Sequence, residues 1–184
     1  MAKMGWFGKL WLTRFSKPVG ERPLYRQIFD RPPHRILEIG IGTLARTERL
    51  LKLLRGFGDD SLQYVGLDRF EGRLPTDPSG VSLKQAHQRL SPLAKVQLVP
   101  GNADSALSRV SNHLGTFDLV LVSADNDQRH MERSWFFLQR LVRPESVVFI
   151  EPLSAAGIRL AWQPLEQSRL ADLASRSVQR RAAA

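Results

Sequence analysis

Apolar residues along the chain fall into short runs that alternate with segments of three-and-four spacing. Ile36, Leu37 and Ile39 form a run that stops at Gly40, and Leu50, Leu51 and Leu54 follow at helical spacing. This is strand, tight turn, helix. The alternation then repeats. Residues 63–67 read as a second strand, 82–90 as a helix and 96–99 as a third strand, with a helix starting near Ser105. Residues 117–122 form a fourth strand, 131–142 a helix with Trp135, Leu138 and Leu141 on one face, and 146–150 a fifth strand. Five such alternations predict an α/β fold: a doubly wound, mainly parallel sheet, Rossmann-like, with its ligand crevice at the strand carboxyl ends.

The flanks read differently. In residues 1–17, Trp6, Phe7, Leu10, Trp11 and Phe15 share one helical face, with Lys3, Lys9, Arg14 and Lys17 elsewhere, before Pro18 ends the segment. The first expectation is a helix folded over its own domain or capping the ligand site, ahead of a homodimer contact or a membrane contact through a basic amphipathic face. Residues 21–30 predict a second short helix, broken by Pro32-Pro33. Past Pro152 the pattern fades: 158–162 suggest a sixth strand, and 165–178 a polar, Arg-rich helix. The expected division is an N-terminal helical segment (1–33), an α/β core (34–152) and a C-terminal strand and helix with a basic tail (153–184). The terminal strand region is short for a fold of this kind, which exposes a sheet edge for the tail or a second copy to cover.

Composition narrows the class. At 184 residues the size is that of one domain. Without cysteine, disulfides and thiolate metal sites are excluded. The net charge of +9 admits an anionic partner such as RNA, although the basic residues are scattered arginines with no long run. No apolar segment approaches a membrane span and no signal-peptide pattern opens the chain, so a cytoplasmic protein is expected.

The candidate chemistry lies at the strand ends. Gly40 and Gly42 allow positive φ and leave no Cβ between the loop and a ligand. Gly40-x-Gly42-x-x-Ala45 also fits the loose dinucleotide fingerprint, so an NAD-type site is one reading. Glu38 opposes it, because a carboxylate beside the loop repels a pyrophosphate and attracts an ammonium group, such as that of S-adenosylmethionine. Asp68 ends the second strand, where nucleotide folds hold a ribose; capping a turn is its other reading. Phe70 is a candidate for an adenine face or for the core. Asp104 follows the third strand and would also serve as a helix N-cap. Successive carboxylates at successive strand ends carry more weight together than any one of them alone.

Glu38-x-Gly40-x-Gly42 resembles motif I of the class I S-adenosylmethionine-dependent methyltransferases, with Leu44 where a third glycine is usual. Asp68-Arg69-Phe70-Glu71-Gly72-Arg73-Leu74-Pro75 resembles the Asp-x-Phe-Glu-Gly-x-Pro stretch of the macrocin type of small-molecule O-methyltransferase. Gly101-Asn102-Ala103-Asp104 resembles the adenine-contacting segment, and 117–125 the Phe-Asp-x-Val-x-x-x-Asp motif that places Ser123 and Asp125 at the end of strand four. The resemblance covers about residues 34–152. It implies S-adenosyl-L-methionine held by Glu38, Gly40, Gly42, Asp68, Phe70, Ala103, Asp104 and Ser123, with transfer to a small-molecule oxygen acceptor. Bases are sought among Asp125, Asp127, His130 and Glu151, with Asp125 first and His130 as its alternative. The cation-dependent catechol and caffeoyl-coenzyme A type enzymes carry Asp where Ser123 stands and Asp-Asn where Glu151-Pro152 stand. No metal site of that kind is therefore expected, the alternative being one rebuilt from Asp125 and Glu151. Competing readings are a non-catalytic binder that keeps the fold and an RNA methyltransferase that uses the positive charge.

Overall fold

The structure, a computed structural model, describes residues 6–58 and 61–182, with side chains from Leu10 to Gln179. Two helices come first, α1 (Trp6–Arg14) and α2 (Arg22–Asp30). The core then alternates β1 (Arg35–Ile39), α3 (Ala45–Arg55), β2 (Gln63–Asp68), α4 (Leu83–Leu90), β3 (Lys95–Pro100) and α5 (Ala103–Val110). It continues with β4 (Phe117–Val122), α6 (Gln128–Gln139), β5 (Val142–Ile150), β6 (Gln163–Leu165) and α7 (Gln167–Ala182). The sheet order is β3-β2-β1-β4-β5-β6. Its first five strands are parallel and β6 runs antiparallel to β5.

A parallel sheet needs cover on both faces, and two apolar layers supply it. On one face Ile36, Tyr64, Leu119, Leu121 and Phe149 meet Leu24 and Ile28 of α2, Leu50, Leu51 and Leu54 of α3, and Ala86 and Leu90 of α4. On the other, Leu37, Ile39, Leu67, Val120 and Val148 meet Ala106 and Leu107 of α5, Trp135 and Leu138 of α6, and Leu170 of α7. Period-two alternation along each strand sorts its side chains between the layers.

Two boundaries differ from the sequence reading. Helix α6 ends at Gln139, and β5 begins at Val142 instead of Ser146. Pro144 sits in the irregular part of the β4–β5 ladder, opposite the stretch between Phe117 and Leu119, where a missing N–H is tolerated. Ser146 helps hold that irregularity, donating to the Phe117 carbonyl at 2.5 Å and accepting from the Arg143 amide at 2.7 Å. Residues 158–162 are not the sixth strand. A tight hairpin takes the first of them, with Leu153 bridged to Arg159 and Gly157 at φ +75°, and the Trp162 amide donates to Gly20. Only Gln163–Leu165 joins β5, so the terminal strand region is short, as expected.

Helix α1 also departs from expectation. Trp11 and Phe15 are 59% and 63% exposed, so this part of the aromatic stripe does not pack over the domain. Trp6 and Phe7 lie outside the described side chains. No helix among the described residues is long and apolar enough to cross a membrane.

Candidate functional site at the strand carboxyl ends

The loop after β1 is built to approach another group closely. Gly40 and Gly42 have φ of +83° and +57°. A Cβ on Gly40 would stand 2.6 Å from Asn126 Nδ2, and one on Gly42 would stand 2.8 Å from an Asp125 carboxylate oxygen. Both positions therefore require glycine. Leu44 occupies the same left-handed region at φ +69° and is fully buried. The loop thus keeps its shape at the place of the usual third glycine, at a strain of roughly 1–2 kcal/mol.

Asp68 organises this loop from the end of β2. It is 6% exposed, and one carboxylate oxygen accepts from the Ile41 and Gly42 amides at 2.9 and 3.0 Å. The other accepts from the Phe70 amide at 3.2 Å, and Arg73 donates to both at 2.7 Å. Asp68 therefore does more than cap a turn: it ties β2 to the glycine loop.

Glu38 sits beneath the loop instead of facing the crevice. Its side chain is fully buried and accepts from Arg46 Nε at 2.8 Å, Arg46 Nη2 at 2.5 Å, Thr47 Oγ1 at 2.8 Å and Tyr64 Oη at 2.7 Å. Burial, then the neighbouring carboxylate, pushes the Tyr64 phenol well up, so Tyr64 stays a hydrogen-bond donor. Arg46 also donates to the Gly40 carbonyl at 2.9 Å and lies 4.7 Å over the Trp162 ring. The expectation that Glu38 attracts a ligand ammonium directly is corrected: its lone pairs are engaged within the protein, and what it positions is the loop.

A cavity of about 300 Å³, mouth included, opens above these residues. Gly40, Asp68, Arg73, Ala103, Asp125 and His130 are among the groups that line it. Phe70 is not at the cavity; it is 3% exposed within the core layer, which corrects the adenine-face reading. Ser123 is also buried, donating to Glu151 at 3.0 Å. Asp104 does not cap its helix, whose N-cap is Asn102; it accepts from the Ser105 amide and pairs with His130 Nδ1 at 2.8 Å.

The candidate bases separate. His130 is drawn by Asp104 to the β3 side of the crevice. Asp127 caps α6, accepting from the Arg129 and His130 amides, and the Arg129 N–H holds its carboxyl below the usual range. Asp125 and Glu151 remain together on the β4–β5 side, bridged by Arg159 and, more loosely, by Ser123. Glu151 further accepts from the Ala124 amide at 3.1 Å and lies 3.8 Å from Arg46. Among the described residues no cluster of three or more His, Asp or Glu side chains forms a metal-holding group.

Sequence reasoning missed the cations. Arg46, Arg73 and Arg159 each close on a strand-end carboxylate, and Asn126 ties the ends of β1 and β4 by donating to the Ile39 and Ser123 carbonyls at 2.6 and 2.9 Å. One signal was present for Arg46: a guanidinium in the first turn of a helix opposes the helix dipole and so calls for a nearby anion.

No family model and no curated protein sequence matches the chain. Solved structures do. TomG, an O-methyltransferase of Streptomyces achromogenes involved in tomaymycin synthesis and solved with S-adenosylmethionine, aligns at TM-score 0.55 and 22% identity over 76% of this chain. The chain spans 57% of TomG's length. An O-methyltransferase of Bacillus cereus, in complex with S-adenosylhomocysteine, aligns at TM-score 0.57 and 19% identity, covering 92% of this chain and 71% of that one. A TehB-like S-adenosylmethionine-dependent methyltransferase of Corynebacterium glutamicum aligns at 0.52 and 16%, covering 92% and 77%. The fold is that of the class I S-adenosylmethionine-dependent methyltransferases.

Proposed function

We propose that this chain is an S-adenosylmethionine-dependent methyltransferase acting on a small-molecule acceptor, with oxygen as the receiving atom and no catalytic metal. The observation that carries the reading is Asp68 bound to the Ile41 and Gly42 amides at the crevice. In a pyrophosphate site those amides would point at the ligand. Here they donate to a carboxylate, which sets a negative charge beside the loop. That suits a ribose and a cationic sulfonium better than a dinucleotide.

S-adenosylmethionine, when bound, supplies an electrophilic methyl group, so the protein's task is alignment and, for a hydroxyl acceptor, proton removal. Gly40 and Gly42 give the close approach. Asp68 would take the ribose hydroxyls in exchange for Arg73. Asp104, with Ala103 beside it, would meet the base, and His130 belongs to this end through its bond to Asp104. Asp125 is the candidate base because its carboxylate lines the cavity beside the Gly42 turn, on the β4–β5 side. Arg159, which now bridges Asp125 and Glu151, would turn to the acceptor. The same guanidinium pairing, with Ser123 at the usual metal-ligand position, supports the metal-independent reading.

One observation favours a non-catalytic binder instead: Arg73 and Arg159 close on the two carboxylates the reaction would need. Titration calorimetry separates the readings. S-adenosylmethionine and S-adenosylhomocysteine should bind in the micromolar range, NAD should not, and Asp104→Asn should weaken both adenosyl ligands. Failure of both adenosyl ligands to bind a folded sample would sink the enzyme reading.

A further inference from the structure

The end of α1, with the two residues after it, is inside out for a surface segment of a globular protein. Its inner face carries Thr13 and Ser16, 8% and 3% exposed, whose hydroxyls donate back to the Leu10 and Leu12 carbonyls at 3.4 and 2.5 Å. Its outer face carries Trp11 and, one turn on, Phe15, both more than half exposed. A surface helix normally places its apolar stripe on the core and its polar face in water. Here Leu12 packs against the core, and the two aromatic rings are left to solvent. Val19, exposed at 59%, extends the patch after Pro18.

A second exposed apolar element stands beside it. The Trp162 amide donates to the Gly20 carbonyl, which brings the hairpin after β5 against the α1–α2 connection, with the Leu160 carbonyl 3.7 Å from where a Gly20 Cβ would lie. That hairpin exposes Leu153, Ile158 and Leu160. The sequence around α1 is also predominantly basic: residues 1–31 carry seven basic side chains, Lys3, Lys9, Arg14, Lys17, Arg22, Arg26 and Arg31, against two carboxylates, Glu21 and Asp30. Glu21 is itself buried on Arg49 and Tyr25 and offers no counter-charge outside.

We infer that this face docks on an anionic phospholipid surface. An indole and a phenyl ring ringed by Lys and Arg is the composition that partitions into the headgroup layer: aromatic bodies bury at the acyl boundary while cations meet lipid phosphates. Charge selects this occupant over a second copy of the chain, because a symmetric contact would set two strongly basic surfaces against each other. The docked face includes the hairpin whose Arg159 reaches Asp125, so the mouth of the cleft comes to rest near the membrane.

The test is vesicle co-sedimentation of the full chain. It should pellet with phosphatidylcholine vesicles containing roughly 30% phosphatidylglycerol at about 0.1 M salt, and much less with pure phosphatidylcholine or at about 0.5 M salt. Trp11→Ser with Phe15→Ser should lower partitioning by at least about tenfold, with circular dichroism unchanged because both positions are exposed. Arg14→Gln with Lys17→Gln, also exposed, should lower it several-fold and flatten the salt dependence. No pelleting with anionic vesicles, or equal pelleting by the aromatic double variant, overturns the inference. So does a lipid-free dimer in sedimentation velocity that the same double variant dissolves.

Discussion

Replacing Glu38 with Gln tests whether this residue is a ligand group or the keystone of the loop. Four donor contacts converge on the Glu38 carboxylate, at 2.8 and 2.5 Å from Arg46, 2.8 Å from Thr47 and 2.7 Å from Tyr64. The amide is isosteric and keeps one acceptor oxygen. If that oxygen faces Arg46, the NH₂ faces two hydroxyls that can rotate and accept. Hydrogen bonding is then largely preserved, and what is lost is the negative charge. Arg46 is only 10% exposed, and the next carboxylate, Glu151, is 3.8 Å from it. Breaking a buried pair by removing one partner costs about 3–5 kcal/mol. Glu151 and the Trp162 ring offset part of that, so about 3 kcal/mol is expected. For a chain of this size that corresponds to a fall in Tm of about 6–12 °C.

The assay is thermal unfolding by circular dichroism, on Glu38→Gln, Arg46→Met and the double variant, with urea midpoints as the cross-check. Each single variant should be strongly destabilised. The double variant should recover about 1–2 kcal/mol relative to their sum, because no charge is then left unpaired. A Glu38→Gln variant within about 2 °C of the parent would refute the keystone account. If that same variant bound S-adenosylhomocysteine much more weakly, the direct ligand role would be restored.

Three further outcomes are expected. Gly40→Ala should lose more than about 2 kcal/mol in urea titration together with adenosyl-ligand binding, since its Cβ would strike Asn126 and unfasten β1 from β4; unchanged stability would show that the loop has slack. Arg73→Ala should tighten S-adenosylhomocysteine several-fold in calorimetry by removing the competitor on Asp68; weaker binding would show Arg73 to be a ligand contact. The two tyrosines, Tyr25 and Tyr64, both have phenols pushed up chiefly by burial. Their contribution to stability is therefore complete below the unfolded value of about 10 and falls above it by about 1.4 kcal/mol per pH unit each. Tyrosinate absorbance should stay absent from the native protein near pH 11 and rise only with unfolding; a native titration near pH 10 would contradict the burial.

The alternation of strands and helices was legible because a sheet buried on both faces writes apolar runs such as Ile36 to Ile39, and each following helix writes its own three-and-four stripe. The carboxylates at the strand ends were legible for the same reason: strand length fixed where Glu38, Asp68 and Asp125 would fall. Their partners were not. Arg73 and Arg159 lie on connecting segments with no periodicity, and nothing local says which way a long flexible side chain turns. Phe70 illustrates the limit from the other side. Its neighbour Asp68 made it look like a ligand aromatic, yet a left-handed φ of +48° turns its ring into the core. Pairing at distance and single backbone inversions are decided by tertiary packing, which a linear pattern does not encode.

The arginines also bear on how the cleft could work. Four carboxylates, Glu38, Asp68, Asp125 and Glu151, share three guanidiniums, from Arg46, Arg73 and Arg159. The three are not equivalent. Arg46 is 10% exposed, locked against Glu38, the Gly40 carbonyl and Trp162, and belongs to the scaffold. Arg159 is 45% exposed on a hairpin, and Arg73, at 12%, comes from a turn-rich loop. A partly exposed pair is worth little in water, so Arg159 can be displaced at small cost. If Arg73 and Arg159 withdrew, a cluster of net charge −1 would become one of −3, which favours a cation at the place where a sulfonium would lie and disfavours a pyrophosphate. Ligand entry is then an exchange of protein cations for a ligand cation and hydroxyls. Such an exchange responds to loss of Arg73, so affinity in the Arg73→Ala variant is the quantity that decides whether the closed cleft is a resting enzyme or a site whose chemistry has been abandoned.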